Sequence, residues 1–370
     1  MCRKQKTNEA GYSMIELMIA MGMTIVISAA AFSLFSGSMK FANSTYYTTE
    51  AEESLRTAHE IINRDLTTAG DGLRGISNPT APTAFVQNFL TRTPVNCTDP
   101  NYPCVGIVTS DNDIPAGTAI PLSNPAVNFQ TGSDRISMVT RDPTWNSGSA
   151  VSVLAGSLTV SGSNVLLSVG ATNIGLFQAN EIYAVVSGGA AWGVVTNVNT
   201  VTNVVTMNNN DGGFGLNSTS TTPKAPILNL ANVVSNTSTQ AVSIMRLQII
   251  QYFVDQNGLL KRRVYGVRGA SFVDSIVAEH ITNLQFRYLT NLTDANGFVK
   301  QPSRVLGTSG EQAALREVET AIGVETAKAV NAVTDTNAVS NACGPSANGR
   351  QSFCSTTATT VRNLQFRQAL

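Results

Sequence analysis

The chain has 370 residues, and 24 Lys and Arg balance 24 Asp and Glu, so its net charge is zero. Charged residues make up 13% of it, roughly half the share of about 25% usual in soluble domains, and that balance excludes the broad basic surface which nonspecific nucleic-acid binding requires. The hydrophobic fraction of 42% is ordinary, which excludes both a polytopic membrane protein and a disordered chain.

Residues 1–11 are polar, with Arg3, Lys4 and Lys6 set against Glu9. The stretch from Met14 to Phe35 follows, with Glu16 as its only charge. As a helix this stretch is ~33 Å long, the depth of a bilayer core. The cations precede it and only Lys40 follows closely, a distribution that leaves the N-terminus in the cytoplasm and sends the remainder across. Ser28-Ala29-Ala30-Ala31 supplies small residues of the kind cut in secretory signals, so composition alone leaves a cleaved export signal open.

The apolar run passes into an amphipathic one. Leu55, Ala58, Ile62, Leu66 and Ala69 recur at three- and four-residue spacing, with Glu52, Glu53, Arg56, Glu60 and Arg64 largely on other faces. No proline occurs before Pro79, and Gly70-Asp71-Gly72 supplies a stop. The spacing predicts one helix over Met14–Ala69, with Gly22 and Gly37 as places where it can bend or melt.

The remainder reads as β-rich. Asp134–Thr140 alternates polar and apolar residues, as do parts of Ala150–Val160 and Ile182–Val205. Ser243–Val254 is an apolar run, followed by the turn Asp255-Gln256-Asn257-Gly258 and by Leu259–Val264, a hairpin pattern. Leu284, Phe286 and Tyr288 mark a further strand. Leu315–Val330 fits a helix or a strand by spacing, and its β-branched residues decide for strand. The pentapeptide Asn-Leu-Gln-Phe-Arg at 283–287 and 363–367 reads as two similar half-buried strands. From Pro143 to Gln240 only Glu181, Asp211 and Lys224 are charged, so solubility there must come from amides and hydroxyls.

No pattern for catalysis emerges. His59 lies on the amphipathic helix as a solvated or head-facing residue, and His280 beside Glu279 makes no triad. There is no Gly-x-Ser-x-Gly elbow and no Walker loop. Asp111-Asn112-Asp113, Asn208–Gly213 and Asp294-Ala295-Asn296-Gly297 read as turns rather than calcium loops. Lys261-Arg262-Arg263 reads as a solvent-facing strand end. The expectation is a structural protein, not an enzyme, with no catalytic residue, no metal and no cofactor; a helix-anchored enzyme ranks as a distant third reading. Cys97, Cys104, Cys343 and Cys354 follow the apolar run and permit three pairings. The local pairs Cys97–Cys104 and Cys343–Cys354 close the shortest loops, and their oxidation implies a periplasmic or outer location.

Gly11-Tyr12-Ser13-Met14-Ile15-Glu16-Leu17 resembles the class III leader of type IV prepilins, with Tyr12 and Ser13 in place of the commoner Phe and Thr. The resemblance implies that a prepilin peptidase removes residues 1–11 by cutting between Gly11 and Tyr12, and that the new Tyr12 amine is N-methylated. Glu16 then has a physical role. A carboxylate in an apolar span costs up to ~2.5–3.5 kcal/mol unless partnered, and the amine of Tyr12 on a neighbouring subunit is a partner that fixes axial register. Asp65-Leu66, Ala69-Gly70, Tyr252-Phe253-Val254, Gly258–Arg263, Ile281–Tyr288 and Thr359–Asn363 further resemble PilW-type minor pilins, firmly as far as Gly70 and loosely over 240–370.

That resemblance implies an α+β fold: a long N-terminal helix over 12–70, membrane-spanning (14–35) and then amphipathic, packed on a β-rich, mainly antiparallel, pilin-like head over 71–370 with its low-charge section at 143–240. It implies a minor pilin that helps initiate or cap type IV pilus assembly. The implied partners are the prepilin peptidase, other minor pilins, the major pilin, the inner-membrane assembly platform and the inner membrane itself; no nucleic acid is expected. The chain would cross the inner membrane once, head in the periplasm, and then enter a pilus or pseudopilus at the cell surface. The nearest alternatives are a J-type minor pseudopilin of type II secretion and a pilus-tip adhesion subunit that binds through 143–240.

Overall fold

The structure, a computed structural model, describes residues 13–73, 80–96, 103–123, 125–217, 226–237, 241–267, 270–329 and 350–365. Helix α1 (Met14–Thr68) is 55 residues long, ~82 Å at the usual rise. It runs unbroken through Gly22 and Gly37, and a Cβ at either glycine would meet nothing within 4 Å. From Met14 to Glu50 no residue of α1 is buried; from Ala51 onward Ala51, Leu55, Ala58, His59, Ile62, Asp65 and Leu66 are. The helix ends as the sequence predicts. Gly70 turns at φ +77°, where a Cβ would stand 2.8 Å from Ile107 Cδ1, and its N–H donates to the Val139 carbonyl at 2.7 Å.

After α1 come α2 (Thr83–Phe89), β1 (Val95–Asn96), β2 (Pro103–Cys104), β3 (Val108–Asp111) and β4 (Arg135–Arg141). The low-charge section holds β5 (Val151–Val153), β6 (Leu158–Ser161), β7 (Asn164–Ser168), β8 (Ile182–Val186), β9 (Ala190–Val194), β10 (Asn197–Asn199), β11 (Val204–Met207) and α3 (Pro226–Thr237). Then follow β12 (Val242–Val254), β13 (Leu260–Val267), β14 (Ala270–Ala278), β15 (Ile281–Thr290), α4 (Ser309–Ala313), β16 (Leu315–Glu325), β17 (Ser352–Thr360) and α5 (Arg362–Gln365). The named strands pair antiparallel throughout. The fold is α+β, a long helix seated on antiparallel sheets.

Strand β12 organises the head. Its C-terminal half pairs with β4 on one side and β13 on the other; its N-terminal half pairs with β5 and β8. It runs back along α1: Tyr252 reaches Asp65, while Ile249 pairs with Val139, which takes the Gly70 N–H past the helix end. Val242 and Ile244 therefore lie beyond the C-terminus of α1, on the side away from its apolar half. They belong to a second core, built with Trp145, Leu158, Leu167, Phe177, Val205 and Ala231, whereas Leu247, Ile249, Tyr252 and Val254 join the core under α1.

One sheet wall separates these cores. Ile182 and Ala184 of β8, with Trp192 and Val194 of β9, face the core under α1. Their neighbours Tyr183, Val185, Ala191 and Val195 face the distal core. Strands buried on both faces need continuous apolar runs, and Ile182–Val186 and Ala190–Val195 are such runs. This burial, as much as the polar surface, accounts for the missing charges of 143–240. Where the lobes meet, Arg246 of β12 reaches Asp142 Oδ2 at 3.1 Å and Glu181 Oε1 at 3.3 Å.

Four sequence expectations are corrected or refined. Gly22 and Gly37 do not interrupt the helix. Leu315–Glu325 is a strand, as its β-branched residues indicate. The second Asn-Leu-Gln-Phe-Arg does not begin as a strand: β17 ends at Thr360, Arg362–Gln365 is a helical turn, and Asn363 Nδ2 donates to the Ala69 carbonyl at 3.1 Å, satisfying a terminal carbonyl of α1. Lys261-Arg262-Arg263 is not a solvent-facing strand end. Lys261 pairs with Asp255, Arg262 with Asp65, and Arg263 with Asp274, the last with its guanidinium 4.0 Å from the centre of the Phe272 ring.

Candidate assembly site

The N-terminus of α1 is capped by its own acid. Ser13 is extended (φ −65°, ψ 142°) and its N–H donates to Glu16 Oε2 at 3.1 Å, while its carbonyl accepts the Leu17 N–H at 3.1 Å. Glu16 is thus drawn toward the start of the helix, where a negative charge is favoured by the unpaired N–H groups and the helix dipole. Its side chain is exposed, as are those of Met14, Ile15, Leu17, Met18 and Ile19. Gly11 and Tyr12, the expected cleavage and methylation positions, lie outside the described residues.

The exposed half of α1 has the chemistry of a lipid- or helix-facing surface. It is the one helix among the described residues long and apolar enough to cross a membrane. Sixteen large apolar side chains from Met14 to Tyr46 are exposed. Within it Thr24 Oγ1 donates to the Ala20 carbonyl at 2.7 Å, and Thr45 Oγ1 to that of Phe41 at 3.0 Å. Each hydroxyl is satisfied by the helix itself, as a dry environment requires.

The other half is seated on the head through a buried stripe with an acid in it. Ala58, Ile62, Leu66 and Ala69 are fully buried, and each Leu or Ile so covered stabilises the seat by about 1.5–3 kcal/mol. Asp65 lies in the same stripe, only 5% exposed. Tyr252 Oη donates to its Oδ2 at 2.7 Å, and Arg262 Nε donates to the same oxygen. Burial first, and then the Asp65 charge, push the Tyr252 phenol well above its ordinary range. Burial alone would lower the Arg262 guanidinium, but its hydrogen bond and charge contact with Asp65 outweigh that and raise it. On the next face His59 and Asn63 meet β17: Thr357 Oγ1 is 2.9 Å from His59 Nδ1, and Thr359 Oγ1 donates to Asn63 Oδ1.

Sequence reasoning gives Glu16 a role but carries Asp65 only within a family resemblance, although an acid within the apolar stripe Leu55-Ala58-Ile62-Leu66-Ala69 is a visible signal. It singles out Arg262 without its partner. His59 proves to face the head. Asp211, Asp255 and Asp294 each accept backbone N–H groups within their turns, so their oxygens serve loop closure. Cys104 is buried in β2 and Cys354 lies in β17, while Cys97 and Cys343 lie outside the described residues.

Replacing Asp65 with Ala leaves a largely buried guanidinium and phenol without their acceptor, and we expect a loss of about 2–4 kcal/mol in unfolding free energy. Adding Arg262→Met and Tyr252→Phe to Asp65→Ala should recover part of that loss, since no stranded polar group then remains. Chemical denaturation of the detergent-solubilised chain measures both. A cost for Asp65→Ala of only about 0.5 kcal/mol, on the scale of a surface change, would remove Asp65 from the seat.

No protein-family model matches the chain, and no curated protein matches it in sequence. Among solved structures it is similar to a type IV-like pilin from Thermus thermophilus, at 16% identity and a TM-score of 0.21, over 32% of this chain and 68% of that one.

Proposed function

We propose that the chain is a pilin-like structural subunit, of the minor-pilin kind, whose long helix carries it first in the inner membrane and then in a filament. The observation that carries this reading is the division of α1. Its first half is wholly uncovered and apolar with one acid, Glu16, in the first turn; its second half is built into the head. An enzyme tethered to a membrane needs only the first half. A subunit whose head must follow its helix into an assembly needs the two joined rigidly.

In the proposed sequence of events a prepilin peptidase cuts between Gly11 and Tyr12, and the Tyr12 amine is methylated. Glu16 of one subunit then pairs with the Tyr12 amine of its neighbour, while Ser13 N–H continues to hold the carboxylate in place. The head, closed by the disulfides Cys97–Cys104 and Cys343–Cys354, meets other minor subunits and the major pilin, with the assembly platform as the inner-membrane partner. A pseudopilus of type II secretion uses the same devices and is the alternative setting.

Peptide mass mapping of the mature protein under non-reducing conditions should show a methylated Tyr12 start and the two local cysteine links. A chain beginning after Ala31 would overturn the leader assignment, and crossed links would overturn the disulfide layout. Glu16→Ala should be cleaved normally yet enter sheared filament fractions at least tenfold less well; ordinary incorporation would end its pairing role.

A second reading, binding at a filament tip, is favoured by the place of the distal core beyond the helix end. The shared wall means this lobe cannot be deleted without opening the core under α1, so point changes are the proper test. Leu154→Asp and Val201→Asp, at side chains 80% and 89% exposed, should abolish surface attachment of the filaments while leaving incorporation unchanged. Retained attachment by the double variant would count against tip binding.

A further inference from the structure

His59 is one of only two histidines in the chain and is 6% exposed in the seam between α1 and the C-terminal sheet. Its Nδ1 lies 2.9 Å from Thr357 Oγ1 of β17, and its Nε2 is buried with no hydrogen-bond partner among the described residues. The seam around it is held by side-chain contacts, with Asn63 meeting Thr357 and Thr359 one turn on.

We propose that His59 is a proton-operated latch: the neutral ring closes the seam, and its protonation loosens the C-terminal sheet from the long helix. The neutral imidazole carries one N–H, so the Thr357 side can satisfy it while the second nitrogen stays bare. An imidazolium carries two, and the second would be a buried charged donor that makes no hydrogen bond at Nε2 in the closed seam, with the Ser355 carbonyl as the acceptor it faces and burial outweighing that carbonyl.

Among the described residues nothing charged in the seam would compensate it. From β17 the ring faces the Ser355 carbonyl and the Thr357 hydroxyl. From β16 the adjoining buried row is Val318, Thr320 and Ile322, which pairs with Thr359, Thr357 and Ser355. On α1 its charged neighbours Arg56 and Glu60 are exposed, and Asp65 is taken by Tyr252 and Arg262. Burial accordingly lowers the His59 pKa, with the Ser355 carbonyl acting the other way and losing.

The sign follows from linkage. With the folded pKa below the unfolded one, the unfolded or undocked state binds the proton more readily. Docking is therefore complete above about pH 6.5, the ordinary value for histidine, and weakens as pH falls through that value toward the folded pKa. The weakening is about tenfold for each unit of depression. Asp134 acts oppositely: burial holds its carboxyl up at about 6 from an ordinary 3.8, against the backbone N–H groups of Phe286 and Asp113. Its contribution therefore falls as pH rises between about 4 and 6. A bulk stability profile would mix the two, and the readout must be local.

Amide exchange of the full chain in detergent, corrected for the intrinsic pH dependence of exchange, is to be compared at pH 7.5 and pH 5. Protection of 352–360 and 55–66 should fall at least tenfold at the lower pH in the wild type and stay constant in His59→Gln. Protection that is independent of pH in the wild type, or lost equally in His59→Gln, would overturn the latch. Should His59→Gln fail to fold, imidazole NMR of His280→Asn, with one histidine left, decides the matter: a His59 titration at or above pH 6.5 also overturns it.

Discussion

Docking of the second half of α1 onto the head is the constraint from which the rest of the structure follows. An isolated helix of this length is not rigidly linked to anything by its apolar end alone. The stripe from Ala51 to Ala69 buries one side of it against β14, β16 and β17, and Asp65 places a charge inside that stripe, met by side chains of β12 and β13. Apolar contact is indifferent to sliding by one turn. The Asp65 carboxylate is not, because only one register lets it meet both the Tyr252 hydroxyl and the Arg262 guanidinium. The acid thus fixes how far the head stands from the uncovered half.

A second constraint is the sharing of secondary structure between cores. β12 contributes to both, changing allegiance around Arg246, and β8 and β9 present alternate residues to each. Gly266 lets the two pass closely: at φ +76°, a Cβ there would stand 3.1 Å from the Leu247 carbonyl and from the Ile182 side chain. Two lobes made this way fold and unfold with each other's help. The distal one is an extension of the sheet through β12, β8 and β9.

Much of this was legible in the chain. The 3.6-residue period of Leu55–Ala69, the absence of proline and the Gly70 stop located α1 almost to the residue, since long, strongly periodic segments leave little choice. The Asp255–Gly258 turn located the β12–β13 hairpin. Other elements were hidden for identifiable reasons. α3 is rich in Asn and β-branched residues (Asn229, Asn232, Val233, Val234) that disfavour helix locally, and its packing against β6 and β9 decides instead. β14 mixes apolar residues with Asp274, whose charge is cancelled only by an arginine two strand positions from Tyr265 on the neighbouring strand. The repeated pentapeptide lies in a strand in one place, while its first three residues lie in a helical turn in the other, where the carbonyls at the end of α1 offer Asn363 a partner. At the assembly site Glu16 was legible through its isolation in an apolar run, whereas the convergence of Asp65, Tyr252 and Arg262 joins residues nearly two hundred positions apart.

The path of β12 has a mechanical meaning. A pull exerted on the far lobe and resisted at the uncovered half of α1 would run along this strand's own axis. The hydrogen bonds joining it to β4, β5, β8 and β13 lie across that direction, so tension would load them side by side in shear. Peeling them one after another would require a sideways force. A thread anchored at one end and tugged at the other is held by the arrangement that best resists such traction.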